Sequence, residues 1–72
     1  MIKTKFGERV TALRKAAGLT QEQLAENADY SVEFISFIER GIHGPSLEGV
    51  ERLARALDVS EAQLFDFNGA IQ

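Results

Sequence analysis

The chain has 72 residues, a formal net charge of -3, 44% hydrophobic and 26% charged residues, and no cysteine. A chain this short holds one core and reads as a single domain over 1–72, with no disulfide framework, thiolate metal cluster or cysteine nucleophile available to it. Its one histidine, His43, cannot build a multi-histidine metal site and there is little room for an enclosed cleft, so neither an enzyme, a cofactor nor a bound metal is expected.

Phe6, Val10, Leu13 and Ala17 recur at i, i+4, i+7 and i+11, which is one stripe of a helix predicted over about 3–17. Gly18 suits the left-handed residue that ends it. Thr20-Gln21-Glu22-Gln23 forms a capping box, in which the threonine oxygen accepts from the amide three residues on while Gln23 reaches back. It opens a second helix over 21–28 that buries Leu24, Ala25 and Ala28. Asp29 tolerates unusual backbone angles, and Ser31 is a competent N-cap for a third helix over 32–40, with Ile35 and Ile38 facing inward. Gly41, Gly44 and Pro45 mark a loop. Ser46 then caps a fourth helix over 47–57, whose inner face is read as Leu47, Val50, Leu53, Ala54 and Leu57. Gly49 should weaken its first turn by about 1 kcal/mol relative to alanine. Ser60-Glu61-Ala62-Gln63 repeats the capping box and opens a last helix over 61–66, carrying Leu64, Phe65 and Phe67. No segment alternates with period two, so the fold class is all-α, five short helices around one core.

No stretch approaches the roughly 20 apolar residues of a membrane span, and the two lysines near the start precede no apolar run, so a cytoplasmic location without a membrane partner is expected. Lys3, Lys5, Arg9, Arg14 and Lys15 against Glu8 give residues 1–20 a charge of +4, while three arginines against ten acids give residues 21–72 a charge of -7. The basic segment is either a phosphate-facing edge on an acidic body or a set of solvated helix charges.

Thr20 to Gly41 is the informative stretch. Two short helices joined by so tight a turn must cross steeply, and Ala25 is the small residue where they touch, which is the requirement of a helix-turn-helix. The residues that carry a resemblance are Leu19-Thr20-Gln21-Glu22-Gln23-Leu24-Ala25-Glu26, Ile35-Ser36-Phe37-Ile38-Glu39-Arg40-Gly41, Pro45-Ser46-Leu47 and Leu53-Ala54-Arg55-Ala56-Leu57-Asp58-Val59-Ser60. In this order and spacing they resemble the Cro-like and phage-repressor-like helix-turn-helix transcription factors over about residues 6–66. The resemblance implies a five-helix domain in which helices 2 and 3 read double-stranded DNA, and a homodimer on a palindromic operator.

Carried over residue by residue, the resemblance implies that Gln21 bonds a phosphate at a helix N-terminus, where free amides and the helix dipole favour an anion. It implies that Arg14 and Glu39 form a structural ion pair between helices 1 and 3, and that Arg40 and the loop after it touch the DNA backbone. His43 in that loop either contacts phosphate or only sits in an exposed turn. The outer face of helix 3 departs from the pattern, since Ser31, Val32, Glu33, Ser36 and Phe37 stand where glutamine, arginine, asparagine or threonine usually meet base edges. Val32 and Phe37 suit thymine methyls, Glu33 could accept from cytosine, and the serines could reach a base or a phosphate. Phe34 is read as core. Leu64, Phe65, Phe67 and Ile71 form the candidate dimer surface, with Leu64 and Phe65 first closing the core. The function expected is a sequence-specific DNA-binding transcriptional regulator. The alternative is a protein–protein interaction module that keeps the fold without DNA, using Val32, Phe37 and Ile42 as an apolar patch with an acidic rim.

Overall fold

A computed structural model describes residues 1–68. Five helices follow one another among the described residues: α1 (Ile2–Ala16), α2 (Gln21–Ala28), α3 (Val32–Glu39), α4 (Leu47–Leu57) and α5 (Glu61–Leu64). Four of them begin where a hydroxyl was expected to cap them. Thr20 Oγ1 accepts from the Gln23 amide at 3.1 Å while Gln23 Oε1 accepts from the Thr20 amide at 2.9 Å. Ser60 and Gln63 repeat the reciprocal pair, and Ser31 and Ser46 accept from the amides of Phe34 and Gly49. Each such cap is worth about 1 kcal/mol. Left-handed residues close α2 and α4, Asp29 at φ 59 and Asp58 at φ 58, and Gly18 at φ 74 follows the end of α1. α5 stops two residues before the expected boundary, because the amides of Phe65 and Asp66 bond back three residues, to Ala62 and Gln63, and tighten the chain out of the α-helical pattern.

The six side chains most fully sealed from water are Val10, Leu24, Ile35, Ile38, Leu53 and Leu64, so every helix sends at least one residue to a common centre. α3 packs against both α1 and α2, α4 packs against α2, and α5 bridges α4 and α1. Phe34 packs against this core only in part, consistent with its reading as core rather than free surface. No helix among the described residues is long and apolar enough to cross a membrane.

Two inward assignments are corrected. Leu47, read as part of the inner face of α4, is 85% exposed, and Phe65, read as closing the core beside Leu64, is 45% exposed. Leu47 is the first residue of α4, at the helix end; Phe65 lies past the end of α5 and leans on Phe6, with ring centroids 5.1 Å apart. Together with Ile2, Pro45 and Val50 they line a shallow apolar hollow of about 200 Å³. Phe67 packs on Phe65 edge to face at 6.2 Å, and Ile71 lies outside the described residues.

Two glycines permit close approaches that the sequence did not announce. A β-carbon on Gly7 would collide with the carbonyl oxygens of Ile38 and Glu39, so its absence lets α1 settle directly on the end of α3. A β-carbon on Gly49 would collide with the Tyr30 hydroxyl and crowd Pro45, so the glycine that weakens the first turn of α4 makes room for a ring from the α2–α3 turn. Replacing Gly7 by alanine would gain about 1 kcal/mol of helix propensity. The clash is with backbone that no rotamer can move, so Gly7→Ala is expected to lose about 1–3 kcal/mol net in urea unfolding, and a gain in stability would show that the α1–α3 contact is not tight.

Candidate nucleic-acid interface

The turn between α2 and α3 is built from backbone and held from below. Asp29 in its left-handed conformation lets the Tyr30 amide reach the Ala25 carbonyl at 2.9 Å, and the chain then enters α3 through the Ser31 cap. Arg52 of α4 donates from Nε to the Ala28 carbonyl at 2.9 Å and from Nη2 to the Asp29 carbonyl at 2.6 Å. Its guanidinium also lies 4.2 Å from the centre of the Tyr30 ring. A cation thus satisfies carbonyls left open at the C-terminus of α2, where the helix dipole favours positive charge.

The far end of α3 is held by an ion pair. Arg14 and Glu39 meet at 2.7 Å (Nε to Oε2) and 3.1 Å (Nη2 to Oε1), with only 12% and 5% of their side chains exposed. Arg14 Nη1 also donates to the Leu19 carbonyl at 2.9 Å, and Gln21 Nε2 donates to Glu39 Oε1 at 2.9 Å. Burial pushes the Glu39 carboxyl up, but the hydrogen bonds from Arg14 and Gln21 and the arginine's charge outweigh it and hold the group below its ordinary value. The carboxylate therefore stays ionised and ties α1, α2 and α3 together.

Between these anchors α3 turns a face outward. At about 100° per residue, Val32, Ser36, Arg40, Glu33 and Phe37 fall within about 140° of arc, opposite Ile35 and Ile38. Ser31, Val32, Glu33 and Arg40 are exposed, and Ser36 and Phe37 are half-buried. The Ser31 oxygen is engaged as the cap, leaving only its hydroxyl proton to give outward. Phe37 carries the Arg40 guanidinium 5.2 Å from its ring centre and the His43 imidazole edge-on at 5.4 Å, so it holds two polar groups beside the end of the helix. His43 is exposed and stacks on Phe34 at 6.1 Å, while its amide and that of Ile42 bond to the Phe37 carbonyl. The structure thus brings Ser31, Val32, Glu33, Ser36, Phe37, Arg40 and His43 to α3 and the loop beyond it. Gln21 joins them through Glu39, with one amide N–H spent there and the other still available.

Among the first twenty residues the basic charges divide. Arg14 serves Glu39 and Arg9 donates to the Gln63 carbonyl at 2.7 Å, whereas Lys3, Lys5 and Lys15 are exposed. Lys3 lies against Gly44, beside the loop that carries His43. Arg52 and Tyr30 were not singled out from the sequence. Arg52 sits 24 and 23 positions from the carbonyls it holds, and no local pattern encodes that reach.

A family model described as a helix-turn-helix domain matches residues 5–65. Control protein C.BamHI of Bacillus amyloliquefaciens is 37% identical over 67 residues, which is 92% of this chain and 83% of that protein. The immunity repressor protein of Bacillus phage phi105 is 45% identical over 53 residues, 74% of this chain but only 37% of the repressor. Among solved structures, the restriction-modification controller protein C.AhdI from Aeromonas hydrophila superposes with a TM-score of 0.85 at 40% identity, over 88% of this chain and 96% of its own.

Two outcomes test the anchors. Because the Glu39 carboxyl lies below its ordinary value of 4.5 in the folded chain, its contribution is present above that pH and is lost as pH falls through the folded value. Melting curves of Glu39→Gln are therefore expected to lie below the parent at pH 7, where Arg14 is left without its carboxylate, and to converge on the parent as the solution is acidified toward pH 3. Parallel profiles would show that acid acts elsewhere. Arg52→Met keeps much of the aliphatic stem and removes the donors, and should cost about 1–3 kcal/mol with the largest loss of amide-exchange protection in the α2–α3 turn.

Proposed function

The chain belongs to the helix-turn-helix domain family and is a DNA-binding transcriptional regulator; on that footing we propose that it grips a palindromic operator as a homodimer, with α3 of each copy in the major groove. The observation that carries this reading is the outward face of α3, exposed along Val32, Glu33 and Arg40 and fixed at both ends by charged clamps. Phosphates flanking the groove are taken by the remaining N–H of Gln21, by the free amides at the start of α2, and by Arg40 and His43 at the end of α3. Lys3 adds a cation at the same loop. Ser31, Val32, Glu33, Ser36 and Phe37 meet the base edges. Few cations are available, so affinity per copy is low and a second copy is needed.

The hollow lined by Ile2, Leu47 and Phe65 supplies the surface for that second copy. These side chains are 59%, 85% and 45% exposed, and the rest of the lining is apolar or glycine except for Lys3, whose ammonium is left to the DNA side. Leu47→Glu, at a position that contributes little to the core, should convert the dimer to a monomer in sedimentation velocity and weaken operator binding while its circular dichroism spectrum stays that of the folded parent; a parent chain that is monomeric both free and on DNA would overturn the dimer.

The DNA contacts are tested by titration against duplexes selected from random-sequence DNA. With Arg40 and Lys3 engaged in each of two copies, the slope of log affinity against log salt is expected near about -3.6. Gln21→Ala should weaken binding to every duplex by about 1–2 kcal/mol, more than its effect on folding alone. Affinity that does not change with salt, or a selection that enriches nothing, would favour a protein partner on the patch formed by Val32 and Ile42, which are 40% and 47% exposed.

A further inference from the structure

The outward face of α3 is short of hydrogen-bond donors. Before Arg40, which lies past the helix end, it presents two hydroxyls, a carboxylate, and the apolar groups of Val32 and Phe37. Both purines offer N7 as an acceptor in the major groove, and guanine adds O6, so gripping them bidentately requires the N–H pairs of arginine, lysine, asparagine or glutamine. Within the helix, before Arg40 at its C-cap, none stands on this face. Glu33 can only accept, from the amino groups of cytosine or adenine, and it repels the acceptors of guanine. The remaining feature distinctive of one base in that groove is the C5-methyl of thymine, and it calls for an apolar contact.

Val32 is placed to make it. It is the first residue of α3, is 40% exposed, and sits at the end of the helix that enters the groove first in this fold. Phe37, a turn and a half farther on, is held by Arg40 and His43 at the edge of the same face. Building on the DNA-binding reading above, we propose that this chain selects its operator mainly by thymine methyl groups, with Val32 the specificity-determining contact and Glu33 admitting only cytosine or adenine beside it.

Thymine and uracil differ by that methyl alone and pair alike, so replacing one by the other isolates it. Duplexes enriched from random-sequence DNA by the full chain are resynthesised with uracil for each half-site thymine in turn, then titrated with the parent and with Val32→Ala. At least one thymine per half-site is expected to lose about fourfold in affinity on conversion to uracil, the worth of one buried methyl. Val32→Ala should shrink that ratio towards one while binding the uracil duplex about as well as the parent does. Circular dichroism and melting of Val32→Ala should match the parent, since the residue is outside the core. Enriched duplexes whose half-sites are insensitive to uracil, or that centre on guanine contacts, would overturn the proposal while leaving DNA binding intact. A methyl effect that persists undiminished in Val32→Ala would remove Val32 from it. A selection that enriches no duplex would overturn the DNA-binding reading itself, and this inference with it.

Discussion

The position of α3 depends on one buried carboxylate. Glu39 lies at the last turn of that helix and receives Arg14 from α1 and Gln21 from the first turn of α2, so three helices share a single charged group. Such a pair contributes little net stability once desolvation is counted, and apolar residues of the same volume would often serve as well. Its contribution is geometric. A bidentate guanidinium fixes both distance and plane, and a hydrophobic contact would leave α3 free to roll. A helix proposed to lie in a groove cannot tolerate that freedom.

The other anchor works on backbone. Arg52 ties α4 to the last carbonyls of α2, and the Tyr30 ring sits over Arg52 in space that only a glycine at position 49 leaves open. With Gly7 allowing α1 onto the carbonyl end of α3, each helix around α3 meets it or its turn through a specific small or charged residue. In a chain with so small a core, these contacts set angles that apolar packing alone would leave loose.

What was legible in the sequence was what local chemistry encodes. Capping boxes at Thr20 and Ser60, the left-handed aspartate in the turn and the helical spacing of Val10, Ile35 and Leu53 report on residues within a few positions of one another, and those elements formed where the pattern put them. The Arg14–Glu39 pair was reached only through resemblance, since nothing in a span of 25 positions dictates it. Leu47 and Phe65 were misread for a related reason. Periodicity says which residues share a stripe but not how far along it burial reaches, and both residues lie at the end of a helix, Leu47 at the start of α4 and Phe65 at the C-cap of α5. Arg52 and Gly49 were illegible as a pair because their partner, Tyr30, arrives from a different element.

The charge distribution resolves along the same lines. An acidic body and a basic first segment suggested a phosphate-facing edge, yet two of the five cations in that segment are consumed in holding the fold, Arg14 on Glu39 and Arg9 on the Gln63 carbonyl. Only the lysines stay exposed there, and of these Lys3 adjoins the loop that follows α3. With so few free cations beside α3, non-specific attraction for DNA through the proposed interface would be weak, because that attraction scales with phosphates neutralised. Discrimination must then come from contacts that only the correct sequence satisfies. On the reading proposed above, the Glu33 carboxylate and Val32 would supply it by exclusion, since a wrong base would meet repulsion or an empty contact rather than a weaker hydrogen bond.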